Sequence, residues 1–327
     1  MNFIKKFKMI NNYWRTGDMG DKKRAVLMGP FVGEFYWEAG RFAPMLPHMI
    51  MNQYKGQDIT YIILTRQDRF DLYGKFADIL IPLHVNGDYS DRKPECFRLI
   101  GLKLDEYNNI ASKFKTQYAE RFKIIKHIYP DVRKPAFVNK NQFHKNQMHY
   151  LFKPRQENYD LVNEYLPNNG KHLVVLASRF REGFKRNWNK WDEFYNLLVK
   201  QTDLMTDFNF IICGKKGEYV PDKRARFFDM NEIKLGDKSS LVGLLLVILE
   251  KAFFTFGSQS AIPNLSLLHK VDVLEFGCQK NLHTKTYNVT NTPITFFENR
   301  TYDIDPQFIL KNLRKLLNSK KEKLKNG

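Results

Sequence analysis

Short runs of consecutive apolar residues alternate with longer amphipathic stretches along the chain, and this rhythm sets the fold class. Arg-Ala-Val-Leu-Met leads into Gly29-Pro30, Ile-Thr-Tyr-Ile-Ile-Leu fills 59–64, and Ala-Asp-Ile-Leu-Ile-Pro-Leu fills 77–83. Runs of this length are strand-sized, and apolar residues on successive positions imply a strand covered on both faces. After the glycine-proline pair, Phe31-Val32-Gly33-Glu34-Phe35 opens an apolar helix reaching residue 50, and 105–127 is expected to be one helical stretch.

The pattern then restarts. Strands are predicted at 172–178, 208–214, 253–257 and 272–277, with helices at 191–200 and 241–251. An amphipathic helix at 308–317 precedes a lysine-rich tail. Such alternation implies parallel strands joined by helical crossovers, an α/β architecture. The break near 155–170 divides the chain into two halves, drawn as 1–160 and 161–327, the second ending in the C-terminal helix.

Composition agrees with two packed domains: 327 residues, 43% of them apolar and 14% aromatic, exclude a disordered chain. Cys96, Cys213 and Cys278 are too few and too far apart for a disulfide scaffold or a cysteine zinc site, and they favour a reducing compartment. No apolar run reaches the roughly 18 residues of a membrane span, and the N-terminus lacks the apolar core of a signal peptide. The expected location is the cytoplasm.

Charge changes the picture more. Lys and Arg number 53 against 35 Asp and Glu, a net +18, which implies a polyanion near the function. Phe3, Phe7, Ile10 and Trp14 fall near helical spacing with lysines between them. That segment either rests on an anionic surface or packs its aromatics on the body.

Open α/β sheets bind ligands at the carboxyl ends of their strands, which nominates four loops. In the first, Gly33-Glu34 follows the first strand; Glu34 is either a general base or a carboxylate stabilised by a helix N-terminus, with Glu38 a weaker substitute. The second, 178–188, carries Arg179, Arg181, Lys185 and Arg186 against Glu182, a phosphate-binding density or a solvated basic loop. The third, 213–218, places Gly214 and Glu218 where a ribose contact would sit. The fourth, Gly257-Ser258-Gln259-Ser260-Ala261-Ile262-Pro263-Asn264, has small polar residues between a strand and an apolar run and is either an anion-binding helix start or an ordinary serine cap. Asp303-Ile304-Asp305 is expected to be surface or helix-capping, and no metal site is expected.

Together these loops resemble glycosyltransferases of the GT-B fold, nearest to the family 9, heptosyltransferase-like group. The resemblance implies two Rossmann-like domains facing across a cleft, an N-terminal acceptor-side domain and a C-terminal nucleotide-sugar-binding domain. It implies Glu34 as catalytic base, although the family's usual residue there is Asp, with Gly33, Trp37, Arg66 and Arg69 on the acceptor side. Arg179, Lys185, Arg186, Ser258, Gln259 and Ser260 would hold the donor phosphates, and Gly214 and Glu218 its ribose and base. The reaction implied is inverting and metal-independent, with the nucleotide sugar as co-substrate and no cofactor.

Two acceptors fit. The charge excess, the aromatic and basic segment 143–155 and the lysine-rich ends favour DNA carrying a hydroxymethylated pyrimidine, as in phage-type enzymes, with the base flipped into the cleft. The enzyme would then work in the host cytoplasm. The family resemblance favours lipopolysaccharide or another bacterial surface glycan, with peripheral contact to the anionic inner membrane. A third reading is a non-enzymatic nucleic-acid-binding protein that reuses the fold.

Overall fold

The computed structural model describes residues 22–31, 35, 38–51, 53–83, 104–129, 152–180, 187–214, 216–217, 219–220, 226–278, 288 and 290–326. The N-terminal segment 1–14 and most of the basic segment 143–155 lie outside the described residues.

Two wholly parallel sheets organise the chain. The first contains β1 (Arg24–Met28), β2 (Thr60–Thr65), β3 (Ile79–Pro82) and β4 (Lys123–Ile128) in the order β3-β2-β1-β4. The second contains β5 (His172–Ala177), β6 (Phe208–Ile212), β7 (Phe228–Asp229), β8 (Ala252–Ser258), β9 (Asp272–Gly277) and β10 (Ile294–Glu298), in the order β10-β9-β8-β5-β6-β7. In each, the chain steps outward from its first strand and then returns to that strand's other side. The order therefore reverses between β1 and β4 and again between β5 and β8, and a crevice opens where crossovers diverge.

The crossovers carry a π turn (Glu38–Phe42) running into α1 (Ala43–Met51), a 3-10 turn (Gln67–Leu72) and α2 (Leu104–Ala119). After these come α3 (Gln156–Tyr165), α4 (Trp191–Leu198), α5 (Thr202–Asp207), α6 (Leu241–Lys251), α7 (Ala261–Leu268) and α8 (Pro306–Asn326). The expected division at residue 160 falls within α3.

Helix α6 reads Leu-Val-Gly-Leu-Leu-Leu-Val-Ile-Leu-Glu-Lys and is buried continuously from Val242 to Leu249. A helix apolar on every side needs neighbours on every side. It has them in β5, in α3 and in the 3-10 turn of the first half. A second bridge joins the π turn to α7. One buried apolar cluster accordingly runs from Val26, Leu46 and Ile50 through to Val175, Leu244 and Ile248.

Polar groups fix this junction. Asp71, 1% exposed on the 3-10 turn, accepts from Arg155 N at 2.8 Å, Arg155 Nη2 at 2.8 Å, Asn158 Nδ2 at 3.2 Å and Ser240 Oγ at 2.7 Å. Ser240 is the N-cap of α6, its hydroxyl accepting from Gly243 N at 2.9 Å. Asn158 Oδ1 accepts from Ser240 N at 3.0 Å. A single carboxylate thus ties the first half to α3 and to the positive end of α6.

Two expected elements are corrected. The stretch 105–127 is not one helix: α2 ends at Ala119 and 123–128 becomes β4, paired with β1. Lys-Ile-Ile-Lys-His-Ile is β-branched and only half-buried, which suits the outermost strand at that side of the sheet. The C-terminal helix does not stop at Leu317 but continues through the lysine tail to Asn326. Lysine, glutamate and leucine are good helix formers, and Lys320–Asp272 and Lys321–Asp207 ion pairs tie the extension to the second sheet. The sequence reading also missed α3, α5, β7 and β10. No helix among the described residues is long and apolar enough to cross a membrane.

Candidate active site

The switch point of the second sheet lies between the carboxyl ends of β5 and β8. Ser178 and Arg179 follow β5; Gln259 and Ser260 follow β8 and lead into α7. Arg179 Nη1 donates to the Gln259 carbonyl at 2.9 Å, so the side chain spans the reversal. Gly257, inside β8, sits where a Cβ would come within 2.6 Å of the Ala177 side chain, so glycine is needed for β5 and β8 to approach.

Two serines at helix starts behave differently. Ser240 caps α6, whereas Ser260 occupies the same position on α7 and its side chain makes no capping bond. The first amides of α7 are left without that side-chain acceptor. Ser258 is fully buried, and its Oγ, the Oγ of Ser260 and the Oδ1 of Asn264 find no hydrogen-bond partner among the described residues. Asn264 is oriented by its Nδ2, which donates to the Ser260 carbonyl at 2.8 Å, leaving Oδ1 turned the other way. Each unsatisfied buried group costs about 1–3 kcal/mol, and these three fall within seven residues around the start of α7, where helix N–H groups favour an anion.

Gln259 has a different task from its neighbours. Its Oε1 accepts from Cys278 N at 3.1 Å and from Tyr302 Oη at 3.0 Å, and the residue is 6% exposed. The side chain, expected among phosphate ligands, instead locks the turn to β9 and to the segment before α8. Gly214, at the end of β6, packs on Tyr219 and offers its carbonyl to Asn231 Nδ2 at 2.9 Å.

The switch point of the first sheet is the Gly29 region beside the end of β4. Gly29 has φ +93°, and a Cβ there would lie 2.2 Å from the Leu64 carbonyl oxygen. Its N–H donates to the Ile128 carbonyl at 2.8 Å, and its own carbonyl lies 2.8 Å from His127 Nε2. The turn that starts the segment toward Glu34 is therefore held from β2 and β4 together. Burial holds the pKa of His127 below its ordinary value, against the Gly29 hydrogen bond.

Glu38, the first residue of the π turn, is 1% exposed. Its Oε1 accepts from Thr65 Oγ1 at 2.6 Å and Tyr73 Oη at 2.8 Å, and its Oε2 lies 3.8 Å from Arg69 Nε. That last separation is an ion pair, too long for a hydrogen bond. Burial pushes the Glu38 carboxyl above the ordinary carboxylate range despite Arg69, Thr65 and Tyr73. Burial and then Glu38 push the Tyr73 phenol well above its usual value. Glu38 is thus a buried support of the π turn and not an alternative base facing the crevice.

Of the expected acceptor-side cations, Arg66 is partly exposed after β2 and makes a two-pronged pair with Asp68 at 2.9 and 3.1 Å. Arg69 is buried, its guanidinium 4.4 Å from the Phe35 ring centroid. Gly33, Glu34, Trp37, Lys185, Arg186 and Glu218 lie outside the described residues. Asp303 and Asp305 fall as expected: Asp303 pairs with Lys190, and Asp305 accepts from the N–H groups of Gln307 and Phe308 at the start of α8.

Sequence reasoning missed Thr65, Tyr73 and Tyr302, and named Asn264 only as part of the fourth loop. Thr65 was within reach of the strand-end rule, being the last residue of β2. Tyr73 and Tyr302 carry no local signal, because each meets its partner through the tertiary fold.

The two-sheet arrangement is matched by solved structures. A family 9 glycosyl transferase from Veillonella parvula DSM 2008 superposes with TM-score 0.55 at 10% identity, covering 91% of this chain and 98% of that one. The ADP-heptose lipopolysaccharide heptosyltransferase II of E. coli gives TM-score 0.54 at 10% identity, covering 91% and 99%. The fold is GT-B. The match runs nearly the whole length of both chains, so both halves of the GT-B architecture are present. No protein-family model and no curated protein sequence matches the chain. At 10% identity the GT-B likeness speaks for architecture; the chemistry has to be argued from this chain's own residues.

Proposed function

We propose that the chain is a nucleotide-sugar-dependent glycosyltransferase acting on a polyanionic acceptor. The observation that carries this reading is the uncapped start of α7, with the unpartnered hydroxyls of Ser258 and Ser260 beside Arg179 at the β5/β8 switch point. The α7 amides and serine hydroxyls would hold the donor diphosphate, and Asn264 Oδ1 would accept from a donor hydroxyl. Lys185 and Arg186 would add charge to the same face, and Glu218 would take the ribose.

Transfer then needs charge stabilisation on the departing nucleoside diphosphate and a base for the acceptor hydroxyl. Arg179 and the helix N-terminus supply the first, aimed where negative charge grows as the anomeric bond breaks. Glu34 would remove the acceptor proton as the hydroxyl attacks from the opposite face, inverting the anomeric carbon. Glu38, with Thr65 and Tyr73, fixes the helix start that follows Glu34. We place this chemistry in the cytoplasm, with no cofactor.

For the acceptor, the +18 net charge supports DNA carrying a hydroxymethylated pyrimidine. A bacterial surface glycan is the second reading, favoured by the heptosyltransferase whose architecture the chain shares.

Calorimetric titration of the full chain with ADP, UDP and GDP tests the donor site. At least one should bind, and Arg179→Ala should weaken it at least tenfold while the protein stays folded. Absence of binding by all three would refute the donor site, and unchanged affinity in Arg179→Ala would refute the role of that residue.

A further inference from the structure

Outside the crevice, the described residues form a groove lined by cations and amides. It lies along the outer flank of the second half, between α4 and α8, has a volume of about 590 Å³ and contains Lys311, Arg314 and Lys315. Leu197 and Leu310 contribute its apolar part, and Gln201, Gln307 and Asn318 supply amides. No carboxylate is among the lining residues.

Helix α8 contributes seven cations against one acid, Glu322. Three of the seven are already used within the fold: Arg314 pairs with Asp203 at 2.8 Å, Lys320 with Asp272 and Lys321 with Asp207. Lys311, Lys315, Lys323 and Lys325 have no such partner among the described residues, and all four are exposed. These four serve helix propensity as any lysine does, but their like charges repel along one helix, and an anion would relieve that repulsion.

Lys311 and Lys315 stand one helical turn apart, and Lys325, 14 residues beyond Lys311, returns to the same face within about 80°, so the row spans about 21 Å at 1.5 Å per residue. A row of that length fits a linear chain of phosphates better than a single small anion. Membrane docking would need apolar side chains projecting alongside the cations. Of the two exposed large apolar residues of α8, only Phe308 shares the lysine face, and it packs edge-on against Phe297 at 5.0 Å; Leu324 lies nine residues from Lys315, about 180° around the helix.

We propose that the α4–α8 groove and the lysine row of α8 bind the phosphodiester backbone of nucleic acid, without reading its sequence. The surface is separate from the donor turn, and in the proposed enzyme it would tether a DNA acceptor while the crevice performs transfer. The proposal rests on the glycosyltransferase reading only for that purpose; the binding itself stands alone.

The test uses the full chain and a mixed-sequence DNA duplex of about 20 base pairs, with affinity followed by fluorescence anisotropy over a range of salt. K311Q/K315Q should weaken binding roughly tenfold and lower the slope of log affinity against log salt by about two, one per lost phosphate contact. K55Q, at an exposed site in the first half, should change neither. An unchanged slope in K311Q/K315Q would overturn the proposal. So would tighter binding to vesicles of mixed phosphatidylglycerol and phosphatidylcholine than to DNA, if the double substitution abolished it. ADP, UDP and GDP titration of the same variant separates the two readings, since loss of DNA binding with donor binding intact supports the tether alone, and failure of all three nucleotides to bind leaves the DNA result standing while refuting the donor site.

Discussion

The hydroxyl of Ser240 donates to the carboxylate of Asp71 at 2.7 Å across 169 residues of sequence. One residue caps the most deeply buried helix of the second half, and the other sits on a 3-10 turn of the first. The same carboxylate takes a two-pronged contact from Arg155 and a bond from Asn158. The relative placement of the two sheets therefore rests on this buried acid together with the apolar cluster that both halves share.

Asp71→Ala removes the acceptor shared by Arg155, Asn158 and Ser240. Arg155 is 29% exposed and regains water, so the loss falls below that of a wholly buried pair. We expect about 2–4 kcal/mol of destabilisation in urea unfolding. Asp71→Asn, which keeps one acceptor, should lose less. Equal stability of Asp71→Ala and wild type would show that the junction is held by apolar packing alone.

Glu38 gives the pH dependence a defined sign. Its folded pKa lies above the ordinary value of 4.5, so the folded state holds the proton more tightly than the unfolded chain. Its contribution is fully present below about 4.5 and is lost as pH rises through the raised folded value. Glu38→Gln keeps an acceptor for Thr65 and Tyr73 but has no proton to lose. Relative to wild type, its melting temperature should therefore improve from acid to neutral pH; a parallel pair of curves would contradict this.

Ser258→Ala and Ser260→Ala should separate stability from binding. Their hydroxyls are buried without a partner, so removing them should leave the protein unchanged or more stable by up to about 1 kcal/mol. The same changes should weaken nucleoside-diphosphate binding several-fold in calorimetry. A loss of stability with unchanged binding would mark the serines as ordinary structural residues.

Gly29→Ala tests the first switch point. The added Cβ would meet the Leu64 carbonyl oxygen at 2.2 Å, a backbone atom that cannot rotate away, on a residue with φ +93°. The two effects together should cost at least about 2–3 kcal/mol. Thermal unfolding that moves by less than two degrees would show that the turn adapts freely.

Strands β1 to β3, β5, β6, β8 and β9 were legible in the sequence because residues such as Val174 and Val175 are apolar on both faces, the mark of a covered parallel strand. The turn at Ser258–Ser260 was legible for a related reason, since small polar residues interrupt apolar runs there. What escaped was tertiary. Lys123–Ile128 carries lysines because it lies at an edge of the sheet, and a periodicity argument reads such a segment as easily for a helix. Whether Ser260 caps its helix or leaves it open depends on the placement of its side chain, and Ser240 shows that the same residue type does the opposite elsewhere. Asp71 shows no signal at all, because its partners lie 84 to 169 residues away.

The central claim is transfer of a sugar from a nucleotide to an acceptor hydroxyl. It is tested most directly by incubating the full chain with a panel of nucleotide sugars, in parallel with hydroxymethylated DNA and with lipopolysaccharide core glycan, and measuring released nucleoside diphosphate and acceptor mass together. The account predicts that one donor yields nucleoside diphosphate in step with a one-sugar mass gain on one acceptor, and that Arg179→Ala abolishes both. Release of no nucleoside diphosphate from any donor, and no mass gain on either acceptor, would contradict it.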